Sequence, residues 1–306
     1  MPDSHVPLPP GTAGTPASTL AAEIAGWINS APVRELVAAF GGRPPETRPG
    51  ELLAWLDDFS ARHWDFRGGR ERPEAREPDL DPGIARLVVE AARLLGMVEA
   101  TPPPQPVYQH LIVLGGLAHA CLRRTGYAAH LIRSGLTVTG VIAALGSLRP
   151  LSQAERDNLA AIGVTDCGTE VDALNAGVRR AFGSSRPTPG PPVRVLAAPS
   201  SDPTVRRAHT ADTQRFWAGQ VRLSPGDRVL VVTAPIYVPF QHCDAIRTLG
   251  VPYGCAIDTV GVDPTLADAP LPEPTLTPGR YLQEVRSAIR SMRTLHASVS
   301  AVEPHA

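Results

Sequence analysis

From Val107 onward the sequence alternates short apolar runs, each closed by glycine or a small polar residue, with longer stretches of helical period. Few folds accept that alternation. A strand that is apolar along its whole length must be covered on both faces, and a helix-bearing connection returns the chain parallel to the strand it left. The runs predict strands at Val107–Leu114, Val138–Leu145, Val193–Ala198, Arg228–Thr233 and Gly254–Thr259. Helices are predicted at Ala118–Arg133, Ser152–Ile162, Thr169–Phe182, Asp212–Val221, Pro239–Leu249 and Tyr281–Ser298, with a proline-rich loop at Ser184–Pro192. The expected fold class is α/β: a Rossmann-like, doubly wound, mainly parallel sheet of about five strands over 107–300, with ligands held beyond the carboxyl ends of the strands, near a topological switch point.

Ahead of this domain, residues 19–100 read as a helical N-terminal region. Leu20, Ile24 and Trp27 repeat at helical spacing, as do Leu52, Leu53, Leu56 and Phe59, and then Ile84, Leu87, Val88, Ala91 and Leu95. Helices are predicted at 19–29, 32–40, 50–62 and 82–96. The charged, proline-dense stretch Arg67–Glu77 is expected to be a solvated loop and Thr101–Pro106, with four prolines, a linker. Residues 1–18, rich in Pro, Gly, Ser and Thr, are expected to be a disordered tail. Three arrangements of the helices stay open: a separate lobe, a cap over the ligand edge, or a layer on the sheet.

All 29 basic residues are arginine. Without lysine there is no Schiff base, no Walker-type phosphate-binding lysine and no Ser-Lys nucleophile. The 30 acidic residues leave a formal charge of −1, which lacks the overall basic footprint of a nucleic-acid binder. No run approaches the ~20 apolar residues that span a bilayer. With no leader pattern at the start, a cytoplasmic protein with reduced cysteines and neither nucleic-acid nor membrane partners is expected. Cys121, Cys167, Cys243 and Cys255 show no C-x-x-C spacing and the histidines no H-E-x-x-H. No metal site is expected, and structural roles are expected for these cysteines and for His110, His119, His130 and His242.

The residues after each strand are the candidates for chemistry. Gly115 and Gly116 either let backbone amides approach a ligand at a helix N-terminus or simply make a tight turn. They fall short of G-x-G-x-x-G, and no acidic residue closes the second strand to hold a ribose, so standard NAD binding is disfavoured. Gly146, Ser147 and Arg149 place a hydroxyl and a planar guanidinium at the ligand edge, suited to phosphate or carboxylate. Thr169 and Asp172 have the spacing of a helix cap. Beside them Glu170 is either a residue favoured by the helix dipole or a group that holds a ribose or acts as a general base. Asp212 and Thr213 open a further helix, where an N-cap is the plain reading. Thr233 ends the fourth strand, and Tyr237 follows in a constrained loop where it can stack on a flat ligand or make a core contact. No G-x-S-x-G marks a nucleophile.

Taken in order, these pieces resemble the ElyC/SanA/YdcF family, a domain-of-unknown-function family with a Rossmann-like fold. The likeness covers about 107–250. Leu111-Ile112-Val113-Leu114-Gly115-Gly116 stands where the family has an apolar strand ending in a glycine pair, and Ala144-Leu145-Gly146-Ser147 where it has a second strand ending in Ser-Gly-Gly. Thr169-Glu170-Val171-Asp172-Ala173-Leu174 looks like its acidic helix start, Ala211-Asp212-Thr213 occupies its Asn-Thr position, and Leu230-Val231-Val232-Thr233 resembles its later Val-Thr strand end. Departures are Ser147-Leu148 in the glycine turn, Asp212 in place of asparagine, and Tyr237-Val238-Pro239-Phe240 in place of a segment that often carries histidine and arginine. The layout is nearest to the soluble YdcF type, whose association with S-adenosylmethionine implies a nucleoside-containing ligand.

The leading expectation is a cytoplasmic small-molecule-binding protein or enzyme acting on a nucleotide or nucleoside-like ligand, by phosphoryl or nucleoside transfer or hydrolysis. Glu170 and Asp212 are the candidate catalytic residues. Gly115, Gly116, Gly146, Ser147, Arg149, Thr169, Thr213, Thr233 and Tyr237 are the candidate ligand contacts. The alternatives are a non-catalytic regulatory or interaction protein on the same fold, and a protein that binds S-adenosylmethionine.

Overall fold

The structure, a computed structural model, describes residues 5–66, 77–183, 190–201, 208–266 and 270–301. Most of the loops expected at Arg67–Glu77 and Ser184–Pro192 lie outside the described residues.

Helices α1 (Ala17–Ile28), α2 (Ala31–Ala39), α3 (Pro49–His63) and α4 (Pro82–Leu94) come first. Then follow β1 (Val107–Leu114), α5 (Ala118–Arg133), β2 (Thr137–Ser147), α6 (Gln153–Ala161), α7 (Glu170–Phe182) and β3 (Val193–Ala198). The chain continues through α8 (Thr210–Ala218), β4 (Arg228–Thr233), a 3-10 turn (Pro235–Tyr237), α9 (Val238–Ala245), a π turn (Ile246–Gly250), α10 (Val251–Tyr253), β5 (Ala256–Gly261) and α11 (Pro278–Ser300). All strand pairs are parallel, in the order β3-β2-β1-β4-β5. The order reverses between β1 and β4, which makes that crevice the switch point of a Rossmann-like, doubly wound sheet.

Period-two alternation sorts the strand side chains into two cores. Leu111, Val113, Ile142, Ala144, Leu230 and Val232 face α5 and α7. Ile112, Leu114, Ala143, Leu145, Val229 and Val231 face the other way, into a larger core shared with α9, α11 and the N-terminal helices. Among the three open arrangements, a layer is found, but one helix removed from the sheet: α1, α3 and α4 pack on α11, which packs on α9. The 23-residue α11 buries Leu282, Val285, Ile289, Met292 and Leu295, an apolar stripe long enough to serve both neighbours.

Element ends differ from the expectations where caps outweigh hydrophobic period. β2 runs on through Gly146 and Ser147, which pair with Ala197 and Ala198. α8 starts at Thr210 because His209 is its N-cap and Asp212 its third residue. The helix expected to stop at Leu249 continues through the π turn to Tyr253 and ends on Gly254 at φ 68°, so β5 starts two residues later than expected. The described part of the segment expected to be a disordered tail is packed. Val6 N–H donates to Leu94 O at 2.7 Å, Ile257 N–H to Gly11 O at 2.6 Å, and His242 Nε2 to Pro9 O at 2.9 Å. The physical reason is that β5 is an edge strand with unpaired amides. Only glycine admits this approach, since a Cβ on residue 11 would lie 1.9 Å from Ile257 O. Among the described residues no helix is long and apolar enough to cross a membrane.

Candidate functional site

The segment that follows β2 is joined to the start of α7 by a backbone staple. Pro150 and Thr169 form an isolated antiparallel bridge, with Glu170 N–H donating to Arg149 O at 2.9 Å and Leu151 N–H to Gly168 O at 2.9 Å. Thr169 and Asp172 complete a capping box: the Asp172 amide donates to Thr169 Oγ1 at 3.3 Å, and its carboxylate accepts from the Thr169 amide at 2.8 Å and hydroxyl at 2.7 Å. The Thr169 hydroxyl, a candidate ligand contact, thus serves the helix start.

The staple brings the buried Glu170 carboxylate over the strand ends. Ser147 Oγ donates to Glu170 Oε2 at 2.7 Å, and Arg149 Nε stands 3.8 Å from the same oxygen. Glycine at 115 follows from this contact: a Cβ there would lie 2.1 Å from Glu170 Oε1 and 2.9 Å from Leu145 O. At Gly146 a Cβ would come within 2.7 Å of Leu174 Cδ1, so its absence lets α7 sit close to β2. Gly115, Gly146, Ser147, Arg149, Thr169 and Glu170 therefore form one cluster.

Sequence reasoning passed over Glu155, which completes it. Arg149 holds both Glu155 oxygens, at 2.9 and 3.0 Å, and donates to Gly116 O at 3.0 Å. Glu155 Oε1 also accepts from the Ala118 amide at 3.0 Å, so the protein's own carboxylate sits on the α5 N-terminus, a natural anion position. Burial alone would raise the Glu155 carboxyl, but the Arg149 guanidinium and the amides of Ser152 and Ala118 hold it down to about 2. Arg149, expected to face a ligand anion, is committed to Glu155. The signal was present in Ser152-x-x-Glu155, a capping box that is realised in α6.

A second cluster flanks the switch point. Arg124, on α5, is 2% exposed. Its NH1 donates to Leu114 O at 2.9 Å and to Gly115 O, and its guanidinium lies 5.5 Å from the centre of the Tyr237 ring. Its Nε has no partner, and no carboxylate of the described residues is within ion-pair distance. Thr233 ends β4, directly after Val232, which pairs with Val113 of β1; its Oγ1 is buried and has no hydrogen-bond partner among the described residues. His119, at the start of α5, is pushed down to about 4, first by burial and then by Arg124 and Arg123. The helical stripe Cys121, Arg124, Thr125, Ala128 carried the signal for Arg124, as an arginine set among buried positions.

Asp212 and Thr213 stand apart from both clusters. The Asp212 carboxylate accepts from the His209 amide at 2.9 Å and lies 3.6 Å from Arg215, and Thr213 Oγ1 donates to Thr210 O at 2.8 Å. Both serve the first turn of α8. The four cysteines are buried and free, and burial pushes the Cys121 thiol up to about 12. Two surface cavities, one of about 740 Å³ beside α4 and one of about 370 Å³ beside α1, lie on the N-terminal helices and away from the strand ends.

The fold and this edge define a Rossmann-like α/β protein with an added helical layer and a charged, largely buried strand-end site. A family model described as the Rv3785 N-terminal domain matches residues 11–96, the helical layer up to the linker. The uncharacterised protein Rv3785 of Mycobacterium tuberculosis is 30% identical over an alignment 340 positions long, covering 95% of this chain and 94% of the relative, and the uncharacterised protein Mb3814 of Mycobacterium bovis matches to the same extent. The chain belongs to the Rv3785 family. No solved structure matches it.

Proposed function

We propose that the chain is a cytoplasmic small-molecule-binding protein whose strand-end crevice takes a nucleotide or nucleoside-like ligand, and that it acts on it by phosphoryl or nucleoside transfer or hydrolysis. The observation that carries this reading is the gathering of Ser147, Arg149, Glu155, Glu170 and Arg124 at the carboxyl ends of β1 and β2, beside the switch point. Buried charge is costly, and parallel α/β sheets bind ligands at this edge. In this reading Tyr237 stacks on the base and Glu170 bonds a sugar hydroxyl or moves a proton, with Ser147 as its hydrogen-bond partner. Calorimetric titration with nucleosides, nucleotides, nucleotide sugars and S-adenosylmethionine tests it. The expected result is saturable binding by one class that falls at least tenfold in Glu170→Gln, about the effect of losing one hydrogen bond to a charged group. Absence of binding at millimolar concentration across the panel overturns it.

One observation favours a second reading, a non-catalytic regulatory or interaction protein. The Glu155 carboxylate already fills the α5 N-terminus and neutralises Arg149. Under that reading the panel shows no binding, and Glu170→Gln leaves partner capture unchanged.

A further inference from the structure

A buried guanidinium needs a counter-charge, and among the described residues Arg124 has none at contact distance, Glu170 and Glu273 acting on it only from beyond ion-pair range. Its NH1 alone is used by protein acceptors, leaving most of its five N–H donors without a protein partner among the described residues. The surroundings compound the demand. Burial pushes the His119 imidazole toward its neutral form, and Arg124, Arg123 and Arg280 add to it against the opposing Glu155 carboxylate, so cationic groups crowd the start of α5. Arg123 is paired with Glu273 and Arg149 with Glu155, whereas Arg124 has no carboxylate partner among the described residues. The α5 N-terminus is closed to an incoming anion by Glu155.

We infer that Arg124 is the anion receptor of the crevice between β1 and β4, taking a phosphate or carboxylate of the ligand with the Thr233 hydroxyl as a second donor. The inference rests on the ligand-binding reading above and adds to it the chemical class of the group recognised. Tyr237, lying over the guanidinium, holds its plane, so that the donor edge is preset for a bidentate oxyanion. Arg124 reaches from α5 to the carbonyl of Leu114 at the end of β1, and Thr233 ends β4, so the two donors stand at the ends of the two strands that flank the switch point.

The test uses the full chain and thermal unfolding with inorganic phosphate and acetate, together with calorimetry of adenosine and guanosine and their 5′-monophosphates. Millimolar phosphate is expected to raise the wild-type Tm, because an ion that binds only the folded state stabilises it. The response should disappear in Arg124→Met and weaken by about tenfold in affinity in Thr233→Val, the effect of one lost hydrogen bond. Without phosphate, Arg124→Met should match or exceed the wild-type Tm, since it removes an unpaired buried charge. An acetate response in place of a phosphate response assigns the carboxylate source. If Arg124→Met does not fold, Thr233→Val decides: a weakened anion response supports the inference and an unchanged one overturns it. Absence of any anion response in the wild type also overturns it. Nucleoside binding without an anion effect removes this inference and leaves the ligand-binding reading standing; an anion response without nucleoside or nucleotide binding does the reverse.

Discussion

Two clusters of buried charge stand side by side at the carboxyl edge of the sheet, and they are built differently. On the β2 side each charge has a protein partner: Arg149 with Glu155, Glu170 with Ser147 and Arg149, Glu155 with the Ala118 and Ser152 amides. On the β1–β4 side, among the described residues, Arg124 has two carbonyls and an aromatic face but no carboxylate within ion-pair distance, and the Thr233 hydroxyl has no partner. A closed network holds geometry, whereas an open one holds interaction energy in reserve for an outside group. Charge at a predicted ligand edge is therefore not itself a site; the state of its pairing decides what it can do.

The comparison is broken most severely by opening the closed side. Glu155→Ala leaves the half-buried Arg149 with only the more distant Glu170 carboxylate and strips the α5 N-terminus of its acceptor; a loss of about 3 kcal/mol is expected in urea unfolding, the low end for removing one member of a buried pair. Gly115→Ala comes next. Its methyl group would meet the Glu170 carboxylate at 2.1 Å and the Leu145 carbonyl at 2.9 Å, so about 1–3 kcal/mol of overpacking cost is expected.

The open side is sharpened by pH. The folded His119 titrates at about 4, below the 6.5 of an unperturbed imidazole. As pH falls below 6.5 the unfolded chain takes the proton first, so the stability contribution is complete above that value and is lost on the way down to about 4. At pH 5, His119→Gln should recover on the order of 1–2 kcal/mol relative to wild type while matching it at pH 8, as read from paired denaturation curves. His110 and His242, both lowered by burial, titrate in the same direction and keep some of the acid sensitivity in the variant. The smallest effect lies outside both clusters: Asp212→Ala removes a helix cap, with about 1 kcal/mol lost and ligand affinity unchanged. A drop in affinity in that variant would restore Asp212 to the binding edge.

Much of the fold was legible because its signals are local. β1 and α5 fall on the predicted residues, since an unbroken apolar run followed by Gly115-Gly116 and a helical stripe leaves little choice. The caps at Thr169-Asp172 and Ser152-Glu155 could also be read by spacing, although only the first was. The packed course of residues 5–16 was not readable, because proline-rich composition says nothing about an edge strand nearly 250 residues away. Within the candidate site, Gly115, Ser147 and Arg149 were found because they follow predicted strand ends, and Glu170 because it opens a helix beside a legible cap. Arg124 and Glu155 were missed because they sit inside helices, where an isolated charge reads as solvated.

By itself, then, the sequence determined the α/β class, the element order, the need for a sheet covered on both faces, and which residues stand at the strand ends. Hydrophobic period, glycine turns and caps act over a few neighbouring residues, and they survive whatever the rest of the chain does. Tertiary structure alone decided that β1 lies between β2 and β4, that α11 joins the N-terminal helices to the rest of the core, that Arg149 is neutralised by Glu155, and that Arg124 has no carboxylate at contact distance among the described residues. Those outcomes depend on which distant groups packing brings within a few ångströms, and desolvation then makes each pairing, or its absence, count.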